Sequence, residues 1–111
     1  MYKRQTTYFG GLAGHSSKPH EGVNAIEYAS RYINKLLEIR KELIKRAPEN
    51  CIFDPPHSTL SIGGISGGIA HNVIADKCQV EWETRPVNKS DGDFVTQEIE
   101  KFTNEELLHD M

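Results

Sequence analysis

Between Gly22 and Arg46 the chain has no internal proline or glycine, and Ile26, Ala29, Ile33, Leu36, Leu37, Leu43 and Ile44 recur there at three- and four-residue spacing. That period puts them on one face of an α-helix. The opposite face carries Glu27, Arg31, Lys35, Glu38, Arg40, Lys41, Glu42 and Lys45, and Glu27 can pair with Arg31 one turn further on. Pro48 stops the helix, because it lacks the N–H that a further turn needs. A helix this long with a single apolar stripe must lay that stripe against something. With 111 residues in all, the chain has room for one core, so residues 1–111 are read as a single domain.

The partner of the helix is legible on either side of it. Residues from about Lys3 to Leu12 are rich in Thr, Tyr and Phe and are closed by Gly10, Gly11 and Gly14, as in a strand that ends in a glycine-rich turn. After the rigid Pro55–Pro56 loop, Leu60, Ile62 and Ile65 sit in a Ser/Thr/Gly setting with weak alternation, a second strand. Cys78, Val80, Trp82 and Thr84 alternate with Gln79, Glu81, Glu83 and Arg85, which gives a third strand an apolar and a polar face. Ser90 or Asp91 is expected to cap a second helix in which Val95, Ile99 and Phe102 share a face, running on towards Leu108. The order strand, helix, strand, strand, helix predicts an α+β fold. It is a ferredoxin-like antiparallel sheet with two helices on one face and its last strand missing. In that topology the absent strand would pair beside the first one. The Lys3–Leu12 strand is therefore expected to offer a bare edge and to self-associate through it.

Composition narrows the function classes. A hydrophobic fraction of 37% with 26% charged residues is that of an ordinary folded domain. A net charge of -3 with scattered Lys and Arg gives no electrostatic footing for nucleic acid or an anionic membrane surface. No apolar run approaches the roughly 18 residues of a membrane span. Cys51 and Cys78 show no CxxC spacing and no secretory signal precedes them, so two reduced thiols in a cytoplasmic protein are expected. Small molecules and proteins remain as partners.

Three places can carry chemistry. The first is Gly14-His15-Ser16-Ser17-Lys18-Pro19-His20, between the first strand and the long helix, where a scaffold commonly positions functional groups. A histidine there can donate to a carbonyl or to the oxyanion formed from it. Equally, it can bond only backbone while Ser16 and Ser17 cap turns. The second is the connection from Gly63-Gly64 through Gly67-Gly68 to Asn72 and Asp76. It lacks a P-loop lysine and dinucleotide spacing, and it is either a ligand-approach loop or a hairpin in which Asn72 takes a positive φ. The third is Arg85, at the end of the amphipathic strand. Its guanidinium can grip a carboxylate bidentately or pair with Glu81 or Glu83. The 5 histidines and 2 cysteines show no HExxH or other tight ligand spacing, and no nucleophile elbow is present. No metal is expected within the chain, and no catalysis by it alone.

Taken in order, Gly11-Leu12-Ala13-Gly14-His15-Ser16-Ser17 with Pro19, Gly22-Val23-Asn24-Ala25-Ile26-Glu27-Tyr28-Ala29, Phe53-Asp54-Pro55-Pro56-His57-Ser58-Thr59-Leu60, and Gly67-Gly68 through Asn72-Val73-Ile74 resemble the acetylornithine deacetylase group of the M20 metallopeptidase family. The Glu81–Pro86 strand end follows in the expected place, and the match covers nearly the whole chain. Enzymes of that family have a catalytic domain with two zinc ions and a glutamate base, interrupted by a ferredoxin-like domain through which subunits dimerise. The chain resembles that inserted domain alone. The resemblance implies a homodimer and a zinc-dependent hydrolysis of N-acyl amino acids in arginine biosynthesis, with the zinc held outside this chain. It also implies a role for His15 in polarising the scissile carbonyl across the dimer, and for Asn72 and Arg85 in holding the substrate, Arg85 by its carboxylate. Other M20 enzymes, such as a succinyl-diaminopimelate desuccinylase or an aminoacylase, are the nearest alternatives. A free-standing ferredoxin-like interaction module is the alternative from another class. Two departures stand out: His71 replaces a small or aliphatic residue, and Ala75 replaces the proline usual before Asp76, which leaves that loop less constrained.

Overall fold

The computed structural model describes residues 3–18, 20 and 22–107, with the backbone alone at 3, 106 and 107. Strand β1 (Lys3–Gly10), helix α1 (Ala25–Lys45), strands β2 (Thr59–Gly67) and β3 (Lys77–Arg85) and helix α2 (Lys89–Phe102) follow one another, and α2 ends in a π-helical turn at Thr103–Leu107. The strands form one sheet in the order β1-β3-β2, with both pairs antiparallel. The α+β, ferredoxin-like order expected from the sequence is the one observed. Position 108, where α2 was expected to end, lies outside the described residues.

Strand β3 is central, and its strict alternation becomes strict burial: Cys78, Val80, Trp82 and Thr84 are buried while Lys77, Glu81 and Arg85 are exposed. The helices cover that face, where Leu36, Leu43 and Val80 have no exposed surface. Inside the core, the Trp82 indole donates to Thr7 Oγ1 at 3.2 Å, and the Thr7 hydroxyl donates to Tyr32 OH at 3.1 Å. Tyr32 also meets the Phe9 ring edge-on at 5.3 Å, so this polar chain runs through aromatic packing.

The weak alternation of β2 has a structural cause. Ile62 pairs with Trp82, but the next partnered residue is Gly64, opposite Glu81, so Gly63 is an extra residue in the ladder. Such a bulge resets the side-chain parity. Leu60, Ile62 and Ile65, whose spacing is uneven in sequence, therefore all fall opposite buried positions of β3.

Two expectations for the helices need correction. The buried stripe of α1 is Ala25, Ala29, Tyr32, Leu36, Ile39 and Leu43. Ile26 and Ile44 are 37% and 49% exposed. A tyrosine with its hydroxyl satisfied in the core took a place that hydrophobicity alone gave to aliphatic residues. The cap of α2 is neither Ser90 nor Asp91 but Asn88, whose side chain accepts from the Asp91 N–H at 2.8 Å. Asp91 sits instead in the buried first turn, where the helix dipole favours a carboxylate. The cap of α1 is Asn24, which accepts from the N–H groups of Ile26 and Glu27.

Candidate functional site

Beyond Gly10 the chain stays beside β3's own approach segment. The Gly11 N–H donates to the Asp76 carbonyl at 2.8 Å, Ile74 N–H to the Gly14 carbonyl at 2.6 Å, and Ser16 N–H to the Asn72 carbonyl at 3.0 Å. His15 and Val73 form an isolated antiparallel bridge. On the other flank, Leu12 and Val23 exchange backbone hydrogen bonds at 2.8 and 2.9 Å, and Ala25 N–H reaches the Ala75 carbonyl at 2.8 Å. Three segments are thus laced together at the start of α1. Gly11 lies so close to them that an added Cβ would fall on the Val23 carbonyl oxygen. Glycine is required there by space.

His15 and Asn72 are brought together by this lacing, and both are exposed. The His15 ring is held locally: Nδ1 accepts from the Ser17 N–H at 3.1 Å and lies 2.7 Å from Ser17 Oγ. Lys18 N–H closes the turn on the His15 carbonyl at 3.0 Å. Asn72 does not take the positive φ allowed for it; among the described non-glycine residues only Asn50 does, at 59°. Its conformation is set by the ladder to Ser16, which a single-sequence reading of turn preferences does not reveal. Ala75 is buried, and its carbonyl serves the start of α1.

Arg85 is elsewhere. It lies at the far end of β3, paired in register with Thr59, whereas Lys77 at the other end pairs with Gly10 next to the histidine turn. A strand of 9 residues at roughly 3.3 Å per residue separates the two ends by roughly 26 Å. Arg85 Nε stands 3.6 Å from Glu83 Oε1, with its side chain 64% exposed. Of the two carboxylates weighed as partners, Glu83 is the one paired at that distance. Arg85 borders an open cleft of about 770 Å³ between the Phe53–His57 loop and the end of β3.

Among the described residues, no three His, Cys, Asp or Glu side chains converge as a metal site would require, and no described helix is long and apolar enough to cross a membrane. Both cysteines are free thiols. Burial pushes the Cys78 thiol above its ordinary value, against a backbone hydrogen bond from Gln79 that lowers it.

The chain belongs to the M20 peptidase dimerisation domain family, whose model matches residues 6–111. At the level of individual proteins it is similar to the acetylornithine deacetylase of Pectobacterium carotovorum, with 43% identity over 77 residues, 69% of this chain and 20% of that protein. The corresponding enzyme of Pasteurella multocida is 38% identical over the same length. The chain therefore spans about a fifth of these curated relatives. Among solved structures, aminopeptidase PepT from Bacillus cereus has the same fold, with a TM-score of 0.64 at 21% identity, over 90% of this chain and 24% of that one.

Proposed function

We infer that this chain is the dimerisation and lid domain of a cytoplasmic, zinc-dependent amidohydrolase that cleaves N-acyl amino acids, N-acetylornithine foremost, in arginine biosynthesis, and that it is inactive by itself. The observation that carries this reading is the turn that holds His15 beside Asn72, exposed at one end of the sheet, on a chain whose relatives are acetylornithine deacetylases. The zinc and its ligands are assigned to the remainder of the enzyme, on the resemblance to the M20 metallopeptidases. This domain supplies donors and a cation.

His15 donates a hydrogen bond to the scissile carbonyl oxygen and to the negative charge that builds on it. Asn72, whose backbone carbonyl accepts from the neighbouring Ser16 N–H, offers a second polar group. Arg85 pairs with the substrate's carboxylate, exchanging its contact with Glu83 for a bidentate one. Because His15 and Arg85 lie at opposite ends of a strand roughly 26 Å long, one copy of the domain does not reach a single small substrate with both. Two copies do: one subunit gives His15 and Asn72, the other Arg85. The separation thus supports a homodimer with shared active sites.

In the complete enzyme, His15→Ala should lower kcat for N-acetylornithine by about 10²–10³-fold, the usual cost of removing one oxyanion donor. A substrate panel should rank N-acetylornithine above N-succinyl-diaminopimelate and other N-acyl amino acids. Wild-type turnover by the His15→Ala enzyme contradicts the role given to His15.

A further inference from the structure

The His15 ring is exposed, yet its tautomer is not left to chance. The Ser17 N–H points at Nδ1 from 3.1 Å, and a backbone amide can only donate, so Nδ1 must present its lone pair. An imidazole nitrogen carries either a lone pair or a proton in the ring plane. With Nδ1 accepting, neutral His15 therefore bears its proton on Nε2. The Ser17 hydroxyl, 2.7 Å from the same nitrogen, faces an acceptor and so donates as well. The turn that brings Ser17 back is closed by Lys18 N–H on the His15 carbonyl, and the ladder from Ser16 N–H to Asn72 fixes it to the rest of the domain.

We propose that Ser17 is a positioning residue that locks His15 as the Nε2–H tautomer, so that the ring presents a donor, not a lone pair, to the substrate carbonyl. The functional half rests on the role inferred for His15 above. The tautomer half stands on the hydrogen bonds alone. The chemical need is direct: an Nδ1–H ring would turn the Nε2 lone pair towards the developing oxyanion and repel it, whereas Nε2–H stabilises it. Ser17 reaches the reacting atoms only through His15.

Long-range ¹H–¹⁵N correlation spectra of the imidazoles of this chain, at about pH 8.5 and so above the ordinary imidazole value of about 6.5, read the tautomer directly. The reference is an unstructured peptide of the Gly14–Lys18 sequence. His15 in the domain should be almost wholly Nε2–H, beyond the peptide's mixture. Ser17→Ala removes the hydroxyl but keeps the backbone N–H, so it should move the ring part of the way back towards the peptide, and Ser17→Thr should restore it. A predominant Nδ1–H form, a mixture equal to the peptide's, or no change in Ser17→Ala overturns the proposal. In the complete enzyme, Ser17→Ala should lower kcat by about 3–10-fold, the scale of one lost hydrogen bond, with KM unchanged and most of kcat recovered in Ser17→Thr. Unchanged kcat in Ser17→Ala overturns the functional half. Full activity of the His15→Ala enzyme alongside an Nε2–H spectrum would instead remove the role of His15 itself, so the two failures are told apart.

Discussion

Asp91 ties three parts of the molecule together. Only 2% exposed, it accepts from Arg46 Nε at 2.9 Å and from the Ser58 hydroxyl, while Ser58 Oγ accepts from Val87 N–H at 2.9 Å. Arg46 also donates to Ser90 Oγ and lies over the Phe94 ring at 4.6 Å. The end of α1, the start of β2 and the first turn of α2 thus share one buried carboxylate. Asp91→Ala should cost about 2–4 kcal/mol in urea unfolding, because it strands both donors; a loss under about 0.5 kcal/mol would show that the network does not contribute. Nothing in the sequence marked this role, since a Ser-Asp pair before an apolar run reads as a cap and Arg46 is 45 residues away. Tyr32 was likewise illegible as core. Burial raises its hydroxyl above 10.0, against the hydrogen bond from Thr7 and the neighbouring Trp82 indole, which lower it. A folded value above the unfolded one means that its contribution is whole below the unfolded value and lost as pH rises through the folded one. Stability should therefore fall above about pH 10, and less steeply in Tyr32→Phe. An identical alkaline slope in urea titrations of the two proteins would contradict this.

At the scale of elements, periodicity revealed β3 and α1 almost to their ends, because one face of each is buried and the other is wet. It failed where a bulge shifts the parity of β2 and where the cap of α2 lies two residues before the expected Ser90. The sheet also has a feature the sequence reading did not weigh. Both β1 and β2 stand at its edges among the described strands, not β1 alone. They differ in defence: β1 begins Lys3-Arg4, whereas β2 reads Thr-Leu-Ser-Ile-Gly-Gly-Ile-Ser-Gly, with no charge and no proline. Edge strands are commonly protected by such charges. Self-association should thus run through β2, with amides on its outer edge gaining protection in hydrogen exchange as concentration rises. A strict monomer in sedimentation equilibrium, or protection gained along β1 only, would contradict that assignment.

For the whole molecule, the sequence made the candidate site residues legible singly but not their arrangement. His15, Asn72 and Arg85 were singled out by residue type and resemblance, yet only the register of β3 puts the first two together and the third at the other end. The proposal that subunits share their sites rests on that arrangement, and mixing inactive variants of the complete enzyme tests it. His15→Ala and Arg85→Ala homodimers should each be impaired at both sites. If subunits exchange, each mixed dimer should regain one competent site, with His15 from one chain and Arg85 from the other. Recovery of activity on mixing is the predicted result. If the mixture stays as inactive as its components while subunit exchange is demonstrated, the two residues do not serve one site from two chains, and the account is contradicted.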